Sequence, residues 1–140
     1  MATPALPVSA RAFIPQQPPI VMIDNILVCE EERFVTKFLI RFDNVFVENG
    51  RMRESGLMEN IAQTCAARVG FCAADQKVPR GVIGGISRFE LQQLPNVGET
   101  LTTTIRVVAG VASALVVDAE VYVGKKAIAA CSMKVFITED

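Results

Sequence analysis

Histidine is missing from all 140 residues, tryptophan is missing too, and there is a single tyrosine. Without histidine a Cys/His zinc site is excluded, and so is an imidazole base or nucleophile from this chain. The four cysteines, Cys29, Cys65, Cys72 and Cys131, contain no CxxC spacing and fall in segments that read as buried helix or strand, which argues against a disulfide framework. Cys65 and Cys72, seven apart on one helix face, read as small core hydrophobes. Excess charge is lacking as well. Fourteen basic against fifteen acidic residues leave a net charge of −1, so nothing draws the whole chain to nucleic acid or to an anionic membrane. No apolar run approaches the roughly 18 residues needed to cross a bilayer. The opening "MATPALPVSARAFIPQQPP" lacks a signal-peptide core. The chain reads as soluble and cytoplasmic, with no metal and no resident cofactor.

What is present is apolar: 51% of the residues are hydrophobic, enough for one domain with a substantial core. Residues 1–19 form a proline-rich, irregular lead-in with room for a short helical turn, and 20–140 a single domain. "IVMIDNILVC" and "RFVTKFLIRF" are branched, aromatic runs separated by Glu30–Glu32, which predicts a hairpin with a solvated tip. Asn49-Gly50 signals a turn. A helix is predicted from about Glu54 to Ala74, with Ser55 as its N-cap and Glu59 near the positive end of the dipole. Leu57, Ile61, Cys65, Arg68 and Cys72 trace one stripe; Met58, Ala62, Ala66, Val69 and Ala73 trace another. Such a helix is a buried one.

After "DQKVPRG" four strand-like runs follow, "VIGGISRFEL", "ETLTTTIRVV", "SALVVDAEVYVG" and "KKAIAACSMKVFIT", with turns expected near Ala109-Gly110 and at Gly124-Lys125. Two strands, one long helix and a four-stranded meander must pair antiparallel. One sheet and one helix bury both partners when the sheet wraps the helix. The predicted class is α+β: a hotdog fold, with a curved antiparallel sheet of five to six strands around one central helix.

Four segments, in order, resemble the 3-hydroxyacyl-acyl-carrier-protein dehydratases of the FabA/FabZ type, which are hotdog proteins. "PQQPPIVMID", Pro15 to Asp24, is similar to their opening Pro-His-Arg-x-Pro element. "ENIAQT", Glu59 to Thr64, is similar to the helix Glu-Ala-x-Ala-Gln element. "GGISRFELQQLPNVGE" resembles the glycine strand, Arg-Phe and Pro-x-x-x-Gly-Asp that follow it, and "VGKKAIAACSMKVF" the closing strand. The resemblance implies an acyl thioester carried on the phosphopantetheine of an acyl carrier protein (ACP) or on CoA. It implies Glu59 as the catalytic acid, with Gln63 and Asn60 as further site residues. It implies backbone N–H groups at Gly56 and Gly85 for the thioester oxygen, and loop residue Asn49 near the substrate. Desolvation would raise the pKa of a buried Glu59.

The departure is that the family's histidine base is gone. Its position falls near Val45 or at Asn49-Gly50, and the opening-motif histidine is Gln16. Neither amide accepts a proton near neutral pH, so a homodimer cannot hold a complete FabZ-type site. Three readings follow: a half-site subunit lending Glu59 to a histidine-bearing paralogue, as in aryl-polyene or flexirubin-type pathways; a thioesterase using Glu59 alone; or a non-catalytic acyl-binding or assembly subunit. All imply a homodimer or a heterodimer with a hotdog paralogue, and an acyl-shaped cavity. Arg51, Arg53, Arg68, Lys77 and Arg80 would suit a phosphate and an acidic carrier protein if they ring its mouth. Arg68 could instead pair with Glu59 or Asp75.

Overall fold

The structure, a computed structural model, describes residues 5–72, 80–111 and 113–138. In chain order it has strand β1 (Val8–Ser9), a 3₁₀ turn (Arg11–Phe13), β2 (Asn25–Cys29), β3 (Arg33–Leu39), β4 (Val47–Glu48), β5 (Arg51–Met52), helix α1 (Glu54–Phe71), β6 (Arg80–Leu91), β7 (Thr100–Val111), β8 (Ala114–Val123) and β9 (Lys126–Thr138). Seven strands form one antiparallel sheet in the order β1-β2-β3-β7-β8-β9-β6, and β4-β5 stand apart as a hairpin. The first strand after the helix therefore lies at the sheet's far edge. The fold class is the hotdog expected, one antiparallel sheet on one helix, with the two-residue β1 and the small hairpin added. The four-stranded meander expected after the helix is not formed, because β6 pairs with β9 while β7 pairs with β3 and β8.

Local chemistry explains the turns. Asn49 (φ 54°) and Gly50 (φ 77°) make the two-residue β4–β5 loop, where both central residues need positive φ and Asn-Gly supplies them cheaply. Gly124 (φ 60°) supplies the one positive φ of the turn between β8 and β9. The turn expected near Ala109-Gly110 lies further along, because both residues continue β7. The register slips between Val107 and Ala109, so Val108 is the extra residue of a bulge and the strand outruns its pattern.

α1 lies across β3, β6, β7, β8 and β9. Leu57, Ile61 and Cys65 are fully buried together with Ile105, Val117 and Val121 in one core. Arg68 and Cys72, which extend that stripe in sequence, are half-buried and exposed. Met58, Ala62 and Val69 of the other stripe are only half-buried in the single chain, and Ala73 falls outside the described residues. The N-cap is Arg53, without a side-chain cap, and the first-turn acid is Glu54. Ser55 and Glu59 therefore both sit further into the helix than the cap pattern suggested.

Residues 8–14 belong to the domain, against the expected boundary at 20. β1 pairs with β2, and Ala10 and Ile14 are 0% and 3% exposed. Burying an isoleucine side chain is worth about 1.5–3 kcal/mol. Phe13 meets Phe71 edge-on at 5.1 Å, and a Cβ at Gly70 would run into the Phe13 carbonyl. Gly70 is thus what lets the 3₁₀ turn sit on the helix.

Candidate active site

Between the 3₁₀ turn and β2 the chain crosses α1 as an irregular strap with a turn at Pro18-Pro19, where Ile20 N donates to Gln17 O (3.0 Å). Its prolines, Pro15, Pro18 and Pro19, cannot donate to a ladder, and the strand expected from Ile20 begins only at Asn25. Helix side chains replace the missing neighbour strand. Gln63 Nε2 donates to Ile20 O (2.8 Å), Met22 N donates to Gln63 Oε1 (2.6 Å), and Asn60 Nδ2 donates to Met22 O (2.8 Å). Residues three apart on a helix share a face, so the two amides grip one stretch of backbone. Asp24 anchors the far end, where its carboxylate accepts from Leu39 N (2.8 Å) and pairs with Arg41 (3.3 Å).

Below the amides lies a buried hydroxyl chain that the sequence reading missed. Asn60 Oδ1 accepts from Thr103 Oγ1 (2.5 Å), Thr64 Oγ1 donates to Asn60 O (2.8 Å), and Thr36 and Thr64 share a bond of 2.8 Å. One signal was available. In "TLTTTIRVV" Thr103 has the strand parity of Leu101 and Ile105, both core residues, and so had to face inward.

Glu59 stands at the outer end of this network. It is half-buried, and its Oε1 accepts the remaining Gln63 Nε2 hydrogen at 2.9 Å. Its other oxygen has no partner among the described residues. A carboxylate oriented on one side and open on the other can give or take a proton on a bound molecule.

The other expected site residues are placed differently. Asn60 is fully buried and occupied with the strap and Thr103, so it supports the site from within. Gly56 is also buried, and its N–H donates to Arg53 O (2.9 Å) rather than outward. Its missing side chain is a packing requirement, since a Cβ there would come within 2.7 Å of Met52 Cγ and Phe46 Cβ. Gly85 lies on edge strand β6 opposite Lys134, with open space around its Cβ position. The crowded glycine is Gly84, under the Phe136 ring. Asn49 is exposed at the hairpin turn. Val45 is exposed as well, and so is Phe42, at 83%. The buried side-chain oxygen of Gln16 has no partner among the described residues.

Nor do Arg51, Arg53 and Arg68, the basic residues of that set whose side chains are described, form a ring. Arg53 pairs with Glu54 at 3.4 Å and Arg51 is exposed in the hairpin. Arg68 donates to Glu31 O at 3.2 Å, in the last turn of α1 and away from Glu59. Lys77 and Asp75 fall outside the described residues, as does the side chain of Arg80. A cleft of about 820 Å³ is lined by Arg11, Lys37, Arg41, Pro18 and Pro19, and neither Glu59 nor Gln63 borders it.

A family model described as ApeP-like, ApeP dehydratase, matches residues 8–140. The chain belongs to this ApeP-like family. The match begins at the strand that the structure adds to the sheet ahead of the strap. No curated protein matches the chain in sequence. Among solved structures, the dehydratase heterocomplex ApeI:P from Xenorhabdus doucetiae superposes with a TM-score of 0.88 at 11% identity, covering 95% of this chain and 93% of that one. A hypothetical thioesterase from Streptococcus pneumoniae with coenzyme A gives 0.64 at 14% identity, covering 82% and 88%. The smu.793 protein from Streptococcus mutans bound to acetyl CoA gives 0.65 at 16%, covering 89% and 98%. At these identities the likeness is one of fold. Among the described residues no helix of this ApeP-like chain is long and apolar enough to span a membrane.

Proposed function

We propose that this ApeP-like chain is the histidine-free half of a two-subunit acyl-thioester dehydratase. It lends Glu59 to a site whose base comes from a histidine-bearing hotdog paralogue. The observation that carries the reading is the state of Glu59: one carboxylate oxygen held by Gln63, the other open, on a chain with no imidazole of its own.

Dehydration of a 3-hydroxyacyl thioester needs a base for the α-proton and an acid for the departing hydroxyl. The partner's histidine removes the proton, Glu59 protonates the hydroxyl, and a 2-enoyl thioester and water leave. Beside Glu59, Met58 and Ala62 leave an apolar surface half-open, suited to an acyl chain or to a partner that encloses one. β6, a twelve-residue edge strand, offers a free ladder to a second hotdog sheet. The substrate arrives on ACP phosphopantetheine or as a CoA thioester. The ApeI:P heterocomplex and the CoA-bound neighbours support these assignments by fold. The neighbours also favour a second reading, hydrolysis of an acyl thioester with Glu59 as base or nucleophile.

The test is reconstitution with a 3-hydroxyacyl-ACP. The chain alone should show only trace dehydration, since general base catalysis is typically worth about 10²–10⁴-fold. Adding a histidine-bearing hotdog paralogue should raise the rate, and Glu59→Gln should then lower it at least 100-fold while the complex stays assembled. Full activity of the variant complex would remove Glu59 from the chemistry. Release of free acid by the chain alone would favour the thioesterase.

A further inference from the structure

The four cysteines divide into two pairs with opposite surroundings. Cys65 and Cys131 are 0% and 6% exposed, and burial pushes their thiols up to about 12 and about 11. They are sealed and protonated. Cys29 ends β2 and is half-buried, whereas Cys72 caps the C-terminus of α1 and is exposed. Their sulfurs lie 3.9 Å apart, although 43 positions separate them in the chain.

That closeness is held from both sides. The Phe71 ring packs on Phe34 at 6.3 Å, and Phe34 is the ladder partner of Cys29. Arg68, one turn before Cys72, donates to Glu31 O in the β2–β3 turn at 3.2 Å. The last turn of α1 is thus fastened to the tip of that hairpin, and Cys72 N closes the helix on Arg68 O at 3.1 Å. β2 also lies at the opposite side of the sheet from β6, so a partner on the β6 edge leaves this corner open.

We propose that Cys29 and Cys72 are a dithiol modification site that closes to a disulfide when a peroxide reaches the exposed Cys72. The Cys72 sulfur takes one peroxide oxygen to become a sulfenic acid, and the rest of the peroxide leaves as an alcohol, or as water from hydrogen peroxide. The Cys29 sulfur then attacks the sulfenic sulfur. The S–O bond breaks, the S–S bond forms, and hydroxide leaves with the thiol proton as a second water. Two thiols lose two electrons and two protons; the peroxide is the species reduced. Burial and the neighbouring Cys72 push the Cys29 thiol up to about 11, which suits it to the resolving role rather than the first attack. Closure would tie β2 to α1 across a long loop, which restricts the unfolded chain.

The experiment treats the full chain with hydrogen peroxide and maps the peptides by mass spectrometry. The expected product is the intact chain minus two hydrogens, with one cross-linked peptide joining Cys29 to Cys72, and with Cys65 and Cys131 still free. Dithiothreitol should reverse it, and the oxidised form should melt roughly 5–10 °C higher. Cys29→Ser should stop the reaction at a dimedone-reactive Cys72, and Cys65→Ser should leave the cross-link unchanged. The wild-type map decides the matter even if a variant folds poorly. Oxidation of Cys72 to sulfinic acid with no cross-link, or a cross-link through Cys65 or Cys131, would overturn the proposal.

Discussion

Beneath α1, Thr36, Thr64, Asn60 and Thr103 form a polar chain shut off from water, all four at 0% exposure. On the outer face of the sheet Arg88, Ser132 and Asp118 form another, in which Ser132 is 8% exposed and its two charged partners stand open to water. There Ser132 Oγ donates to Asp118 at 2.7 Å, Arg88 bonds to Ser132, and the Arg88 and Asp118 side chains are 75% and 55% exposed. Both chains link several elements, but their energetics are opposite. A buried group that loses its partner keeps the full cost of desolvation, whereas an exposed one turns to solvent. The inner chain therefore fixes where the strap crosses the helix, and with it where Glu59 is held. The outer chain decorates a surface that is already formed.

The sharpest way to break this contrast is Asn60→Leu, which removes the strap's grip on Met22 O and leaves the Thr103 hydroxyl buried without its acceptor. It should cost about 3–4 kcal/mol in urea unfolding. A loss under about 1 kcal/mol would mean that water replaces the amide and that the inner chain is not sealed. Thr103→Val is smaller, since it keeps the shape and orphans one Asn60 lone pair; about 1–2 kcal/mol is expected. Asp118→Asn should change stability by no more than about 0.5 kcal/mol. A large loss there would show that the outer chain carries structural weight and erase the distinction. Arg88→Gly sharpens the same comparison, because Arg88 sits at φ 54°, where glycine is unstrained. Losing the exposed pair and relieving the backbone should nearly cancel, leaving the midpoint almost unmoved.

Legibility in the sequence followed the same division. The succession of the main strands along the chain, the central helix and the Asn49-Gly50 and Gly124-Lys125 turns are written in local chemistry, and local chemistry was enough to read them. The pairing of β6 with β9 in place of β7 was not. The strap was not. "IVMIDNILVC" is a good strand by composition, but Ile20 and Met22 are claimed by Gln63 and Asn60, some forty positions away, and no short-range pattern announces that partnership. For the same reason Asn60 looked like a site residue: polarity on a buried helix suggests chemistry until its hydrogen bonds are traced. Gly56 resembled an oxyanion donor because it lies near the helix start, but steric need at Met52 and Phe46 accounts for it. The bulge at Val108 moved a turn that glycine seemed to mark. The hydrogen bond between Gln63 and Glu59 was legible in their spacing, four residues apart on the same face.

The seam between β3 and β7 sets an order of events. It pairs Arg33 with Arg106 at one end and Leu39 with Thr100 at the other, so the β4–β5 hairpin, α1 and β6 all lie within the loop it closes. The β7–β8 and β8–β9 ladders, by contrast, close across turns of a few residues. Closing a long loop costs entropy before any contact repays it, so the C-terminal ladders should become protected first in pulse-labelled hydrogen exchange. The N-terminal hairpin should dock later, and the strap, gripped by helix amides instead of a ladder, later still. On the ribosome the β7 partner of that hairpin emerges after α1 and β6. Until then Phe34, Phe38 and Ile26 have no sheet to cover them, and the nascent N-terminal third is the interval in which this chain is most open to aggregation or to capture by a chaperone.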